Sequence, residues 1–394
     1  MLTLKLALRN LFGTGIRLWI NVIVITISIM VIIFSMALYA GLESQMMDSL
    51  IKTEVAGGQL WSEKFDPMDS LTFDNTVRQI PQELKKLIQD DNAVPILYCN
   101  GTLYTGGRVL QVGLRGIKTD QSVLSLPTKL IGEKEGKENY SIMVGLRMLK
   151  LLRLKKGDLV TIKWRDKNGV FDAADFKIKQ LMDKNNPRVD SNVIWLDIKV
   201  LRKIFGYDGV ASTVIFRDKN DLDTLKLEKG SKWIKHPRKD LLKWVIDLIN
   251  SDKAWMHVIY ALLVFLCCVG IFNTQILSIF KRRKEIGTLM SLGMRKGQIV
   301  ALFTLEGMLL TFFAFIGVGI AGTPLFYWTT TVGIPLNHVE GMGMPIPEKL
   351  IPSYSFELIF LSFFAIGLIT LLVAWLPARE ITKLEPAQAL TGRK

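Results

Sequence analysis

Four long runs without charge constrain this chain more than any other feature. Leu18 to Ala40 holds no charged residue, and Ala254 to Phe280 holds none. Ile299 to about Gly322 is broken only by Glu306, and Leu358 to Leu376 is uncharged. A bilayer crossing takes ~20 apolar residues. Core helices of soluble proteins keep a polar face, whereas these runs are apolar all round. They predict four membrane-spanning helices. The remainder is too charged for an all-membrane protein: 22% of the chain is charged beside 49% hydrophobic. The chain therefore reads as part membrane, part water-soluble.

The net charge of +14 is informative through its placement. Residues 1–17 carry Lys5, Arg9 and Arg17, and the loop 281–298 carries Lys281, Arg282, Arg283, Lys284, Arg295 and Lys296 against Glu285. The tail carries Arg379, Lys383, Arg393 and Lys394 against Glu380 and Glu385. The loop 323–357 has Lys349 against Glu340, Glu348 and Glu357. Short loops rich in bases stay in the cytoplasm. The first three segments are thus expected inside and the fourth outside, with the multi-pass chain in the inner (cytoplasmic) membrane. Long domains translocate largely regardless of charge, so 42–253 is expected outside. The basic excess lies beside the membrane helices or is diluted in a mixed surface, which argues against a nucleic-acid partner.

The expected layout follows. Residues 1–15 form an amphipathic helix on the inner membrane surface, with Gly13 and Gly15 allowing the chain to turn. Spans occupy 16–41, 254–280, 299–322 and 358–377. An extracytoplasmic domain occupies 42–253, a cytoplasmic loop 281–298, an outer loop 323–357 and a cytoplasmic tail 378–394. The first apolar run exceeds a signal peptide's ~7–15 residues and no A-x-A site follows, so it reads as an uncleaved anchor. Cys99 is alone in the outer segment, so that domain has no internal disulfide, and no metal-ligand spacing occurs.

The outer segment reads as mixed α+β. Residues 42–60 continue from the first span and are expected to stay helical for several turns. Pro81 is expected at the first position of a helix running to Ile88. Residues 94–117 read as strands among turns at Asn100-Gly101 and Gly106-Gly107. Gly145 to Gly157 reads as a helix and a turn into the strand Leu159–Trp164. A strand at Asp175–Gln180 is expected to pair with it, and further strands lie near Asn192–Leu196 and Thr213–Phe216. Residues 232–253 are expected to form a helix feeding the second span.

Within the loop 281–298, a charge cluster ends the second span. Ile286, Leu289, Met290 and Gly293 then recur at helical spacing and form one apolar stripe. Such a stripe is buried either in lipid, as a topogenic loop resting on headgroups, or in a partner protein. Glu306 is a costly intramembrane carboxylate. It either relays protons or pairs between helices. Asn273, Thr274 and Gln275 are expected to form interhelical hydrogen bonds. No Ser/His/Asp, paired-carboxylate or His/Cys cluster suggests catalysis. His236 is the outer domain's single histidine.

Several motifs match one family. Arg283-x-Glu285-Ile286-Gly287-x-Leu289-x-x-Leu292-Gly293, with Phe303-x-x-Glu306-Gly307, resembles the coupling segment of FtsX-like (MacB-type) ABC transporter permeases. Ala7-Leu-Arg9-Asn10-Leu11, the tail Leu376-Pro-Ala-Arg379 to Pro386-Ala-x-Ala-Leu390, and Val144-Gly145 through Gly157-Asp158 resemble other parts of the same family. The Gly13-Thr-Gly15 segment departs from the basic cluster many members carry there. The layout looks most like LolC/LolE-type lipoprotein-releasing permeases.

The resemblance implies a MacB-like extracytoplasmic core domain and mechanotransmission. A cytoplasmic ABC ATPase drives a pair of permeases, identical or paralogous, whose outer domains move. Arg283, Glu285, Ile286, Gly287, Leu289, Met290, Leu292, Gly293, Met294 and Arg295 would carry the contact with that ATPase. No G-x-x-x-x-G-K-[ST] stretch occurs in the chain. ATP and magnesium are therefore expected on the partner, with no cofactor and no metal on this chain. Partners implied besides the ATPase are membrane lipids, a lipoprotein cargo and a periplasmic lipoprotein chaperone. The rival readings are an efflux permease for peptides, antibiotics or toxins, and a non-transporting regulator of a cell-wall hydrolase or sensor kinase.

Overall fold

The structure is a computed structural model that describes residues 2–13, 15–132, 134–135, 139–182, 186–228, 230–336 and 349–383. The outer-loop acids Glu340 and Glu348 and the tail motif from Leu384 to Leu390 lie outside the described residues. The chain divides into two compact units. One comprises Met1–Glu43, Asn250–Pro335 and Lys349–Lys394; the other comprises Ser44–Ile249 and Leu336–Glu348.

The first unit is helical. A first long helix spans Ile16–Leu50 and a second Arg238–Lys281. A third begins at Lys296, and a fourth spans Phe356–Arg379. Four helices are long and apolar enough to cross a membrane among the described residues. The second has 44 residues, ~66 Å at 1.5 Å per residue, far more than a ~30 Å hydrocarbon core requires. It runs unbroken past Ile249, as the first helix runs past Glu43.

The third helix corrects the expected boundary. It does not stop at Gly322 but passes through a π-helical turn, Val318–Gly322, into Thr323–Val332. The outer loop therefore begins ten residues later than 323. Pro324 lies at the start of the continuing helix. A proline lacks the N–H of a regular ladder, and the widened turn before it accommodates that loss.

Close approach of small residues packs this bundle. A Cβ on Gly317 would lie 2.7 Å from Thr26 Oγ1, and that hydroxyl donates to the Ala314 carbonyl at 3.2 Å. A Cβ on Gly307 would lie 2.6 Å from the Ala374 Cβ. Ile25, Ile29, Ile32 and Ile33 of the first helix share a buried cluster with Leu310, Ala314, Val318 and Ile366. The amphipathic helix Leu2–Gly13 forms as expected, but its apolar face is used differently. It packs on the third helix, with Ala7 and Leu11 buried and Phe12 edge-on to Phe313.

The second unit is built on a sheet of ten strands among the described residues. Six of them close into a ring. Ala93–Thr105 pairs with Arg108–Ile117, which pairs with Val193–Asp197. Val193–Asp197 pairs with Asn139–Gly145, and that with Phe171–Met182. Phe171–Met182 pairs with Leu159–Arg165, which returns to Ala93–Thr105. Inward positions recur with the two-residue period of strands, as Val160, Ile162 and Trp164 do. These three share a buried core with Leu103, Leu114, Phe176 and Ile194. The other end of Ala93–Thr105 continues the sheet through Thr213–Phe216, Gly58–Ser62 and Trp233–Pro237.

Three local expectations change. Asn100-Gly101 is not a turn: Gly101 sits mid-strand, paired with Val112 on one side and Trp164 on the other. A Cβ there would lie 2.9 Å from Leu114, so the missing side chain lets the ring close. Residues 233–237 form a strand rather than helix, because they pair with Gly58–Ser62. Pro81 is the cap residue, one place before the helix Gln82–Gln89. A further helix, Ile198–Phe205, begins at Asp197, whose carboxylate accepts the Lys199 N–H at 2.9 Å, and ends at left-handed Gly206.

Phe176 is fully buried inside the ring. Phe176→Ala is expected to cost about 3–5 kcal/mol, read as a lower urea midpoint for the tryptophan fluorescence of the second unit.

Candidate functional site

The loop that joins the second and third helices is a short helix, Arg283–Ser291, closed by a left-handed glycine. Gly293 has φ +91°, and the amide N–H of Met294 returns to the Leu289 carbonyl at 3.1 Å. This is the glycine stop that terminates helices without a Cβ penalty. The third helix then starts at Lys296, where Gln298 Oε1 accepts the Arg295 N–H at 3.0 Å.

The apolar stripe is covered by the chain's own helices. Ile286 is fully buried with Ile279 of the second helix, Ile299 and Phe303 of the third, and Ala378 and Ile381 at the end of the fourth. Leu289, Met290 and Met294 pack half-buried against the same cluster, and Gly287 is buried beside Ile286. Neither lipid nor a partner is required to bury this face. Ile286 lies one turn from the polar end of the second helix, so folding the loop back on the bundle removes it from water at once.

The opposite side of the loop faces outward. Leu292 is 79% exposed at the tip, next to exposed Gly293. Arg283, Lys284, Glu285 and Arg295 are exposed around it. Arg283 lies over the Phe280 ring at 4.5 Å. The residues expected to act together therefore fall into two sets: an anchoring set of Ile286, Gly287, Leu289, Met290 and Met294, and a presented set of Arg283, Glu285, Leu292, Gly293 and Arg295.

Arg282 belongs to neither set. Its side chain turns inward, with Nη1 at 3.0 Å from both carboxylate oxygens of Glu306. Its Nε donates to Glu285 at 2.7 Å, and its guanidinium lies 5.1 Å from the centre of the Phe303 ring. Glu306 is 5% exposed and also accepts from Asn10 Nδ2 at 3.0 Å. The pair joins the N-terminal helix, the loop and the third helix. A carboxylate saturated by an arginine and an amide is built as a pin between elements. Arg282 read in sequence as one of four equivalent bases. The missed signal was the lone acid in the following span, which needs a nearby counter-charge.

The polar residues of the second helix do not bridge helices. Thr274 Oγ1 donates to the Gly270 carbonyl of its own turn. Asn273 is exposed and makes no hydrogen bond to a described residue. Gln275 is buried, yet its Oε1 has no hydrogen-bond partner. Gln275 instead packs its amide against Gly307 of the third helix, where a Cβ would lie 2.8 Å from its Nε2.

Residues 257–386, which include this loop, the third helix and the fourth, match the FtsX-like permease C-terminal family. This part of the chain is an FtsX-like permease domain. Relatives are consistent with that membership. An uncharacterized ABC transporter permease of Methanocaldococcus jannaschii is 28% identical over 280 residues, 66% of this chain and 64% of that protein. The macrolide export ATP-binding/permease protein MacB 1 of Aeromonas hydrophila is 29% identical over 31% of this chain and 17% of its own length. The chain thus spans less than two thirds of these relatives. Among solved structures, the periplasmic region of MacB from Actinobacillus actinomycetemcomitans aligns with 48% of this chain and 91% of its own, at 12% identity and a TM-score of 0.31.

Within the FtsX-like domain, Arg282→Ala leaves Glu306 buried without its counter-charge. It is expected to destabilise the full chain by about 3–5 kcal/mol, measured as a lower melting temperature in detergent. Arg282→Ala with Glu306→Gln is expected to recover part of that loss.

Proposed function

We propose that this chain is the membrane subunit of an ABC transporter that works by mechanotransmission. A separate cytoplasmic ATPase binds and hydrolyses magnesium-ATP and moves the loop 281–298. The observation that carries the reading is the division of that loop. Its stripe anchors it to the second, third and fourth helices, and Leu292 is left exposed among bases. An exposed leucine at the tip of a rigidly seated helix suits a groove on a partner protein. Because Ile286 and Arg282 seat the loop on the bundle, a push on the tip moves the helices with it. The unbroken first and second helices support transmission to the outer unit. The basic loops support a cytoplasmic position for this site and a position for 42–253 outside the inner membrane.

A second permease, identical or paralogous, completes the pair. The relatives named as macrolide export proteins favour efflux of an antibiotic, peptide or toxin, and the single outer domain between the first two spans favours lipoprotein release to a periplasmic chaperone. Macrolide resistance and lipoprotein release, assayed in a strain lacking the chain, separate the two. A defect in neither, with loss of hydrolase or kinase activation, would support the regulatory role.

Leu292→Asp is expected to reduce transporter-coupled ATPase activity at least about tenfold while the chain stays folded in the membrane. Ile286→Asp is expected to lower the amount of folded chain instead, since it buries a charge. Full coupling with Leu292→Asp would sink the proposal. For orientation, a membrane-impermeant thiol reagent on intact cells is expected to label Lys85→Cys and to leave Lys296→Cys unlabelled. The opposite pattern would reverse the topology.

A further inference from the structure

A cavity of about 600 Å³ opens beside the Arg282–Glu306 pair. It lies within the membrane unit, between the start of the first helix and the end of the second. Its floor is Glu306 and Arg282, already paired with each other. Its walls carry the side-chain amides of Asn21, Asn273 and Gln275. None of these amides makes a hydrogen bond to a described residue. Gln275 is 3% exposed, and its Oε1 is buried without a partner. Lys281 stands at the rim, exposed and without an ion pair to a described residue. Leu18 and Leu310 supply apolar wall.

Unpaired amides are costly against hydrocarbon, where no water completes their hydrogen bonds. The cavity therefore suits an occupant that is polar at this depth and apolar beyond it. Gln275 lies six residues before Lys281 on one helix, ~9 Å along its axis. That is about the thickness of the polar interfacial layer on one side of a bilayer, roughly 5–8 Å. A glycerophospholipid has the matching order of groups. Its phosphate would meet the Lys281 ammonium, and its ester and glycerol oxygens would meet the amides. Its tails would follow Leu18 and Leu310 into the bilayer.

We propose that this cavity is a binding site for one glycerophospholipid of the inner leaflet. Arg282 is shared between Glu306 and Glu285, which also lines the cavity, so the lining is neutral overall and Lys281 is its one cation without an ion pair to a described residue, placed to meet a phosphate. The site places a lipid against the same pin that seats the coupling loop. The choice of leaflet rests on the cytoplasmic placement of that loop; the chemistry of the cavity does not.

The test uses the full chain in detergent, by native mass spectrometry with phosphatidylglycerol, phosphatidylethanolamine or diacylglycerol added. Both phospholipids are expected to be retained at one per chain, and diacylglycerol at least about tenfold less, the scale of one charge-assisted contact. Lys281→Gln and Gln275→Leu are each expected to weaken phospholipid retention. Gln275 makes no hydrogen bond to a described residue but packs against Gly307, so Asn273→Leu, at an exposed position on the same wall, reads lipid retention if Gln275→Leu does not fold. Equal retention of diacylglycerol, or no change in the variants, overturns the proposal. So does a disulfide-linked dimer from Asn273→Cys in membranes, which would mean that a second copy fills the cavity. Thiol labelling of Lys296→Cys on the same strain reports orientation separately. Outward labelling would move the site to the other leaflet without abolishing lipid retention.

Discussion

An ionised carboxylate close to hydrocarbon needs a counter-charge and filled lone pairs, and in this chain Arg282 and Asn10 supply both to Glu306. The consequences spread from that pair. Arg282 is the first residue after the second helix, so the chain must turn inward there. The turn brings Ile286 onto the bases of the helices, and the buried cluster around it holds the loop in place. Asn10 draws the N-terminal helix to the same point, which agrees with its packing on the third helix. One polar contact thereby joins three elements that are distant in sequence.

The second unit, Ser44–Ile249 with Leu336–Glu348, rests on a different principle. It has no disulfide to hold it, since Cys99 is buried and free, with its thiol pushed well above the usual range by burial. Stability comes from closing six strands around apolar side chains, which leaves those strands no open edge along the ring. The short turn motif that looked family-specific has a packing origin. A Cβ on Gly145 would lie 2.1 Å from the Asp190 carbonyl oxygen, and Gly157 has φ +100°. Only glycine satisfies both positions without displacement of the backbone.

Much of the candidate site was legible before any coordinates. The basic cluster and the stripe positions Ile286, Leu289 and Met290 are local features and form where the residues indicate, whereas Gly293, expected to continue the stripe, lies beyond the helix at φ +91° and is exposed. What was not legible is what covers the stripe. A repeat of three and four residues says that a face is apolar; it does not say whether lipid, a partner or the chain itself lies against it. Ile286 meets Ala378 and Ile381 across more than ninety residues of sequence, which no local pattern encodes. The same limit applies to Arg282. Four consecutive basic or acidic-flanked positions look alike in sequence, and only the helix end at Lys281 determines which one turns inward.

The sequence by itself determined the membrane class, the four spans and the mixed outer domain, because hydrophobic length and charge placement act through the solvent and need no partner. It also determined which loop is basic and where its helical stripe begins, since those are matters of charge placement and short-range spacing. Tertiary structure alone decided that the six-strand ring closes and that the third helix continues through a π turn to Val332. It also decided that the loop 281–298 divides into an anchored face and a presented tip. Those outcomes depend on which distant surfaces meet, and packing energies between distant segments are set only once the whole chain is folded. The loop 281–298 therefore reads from sequence as a helix with an apolar face, and from structure as a helix seated on the bundle with Leu292 exposed just beyond it.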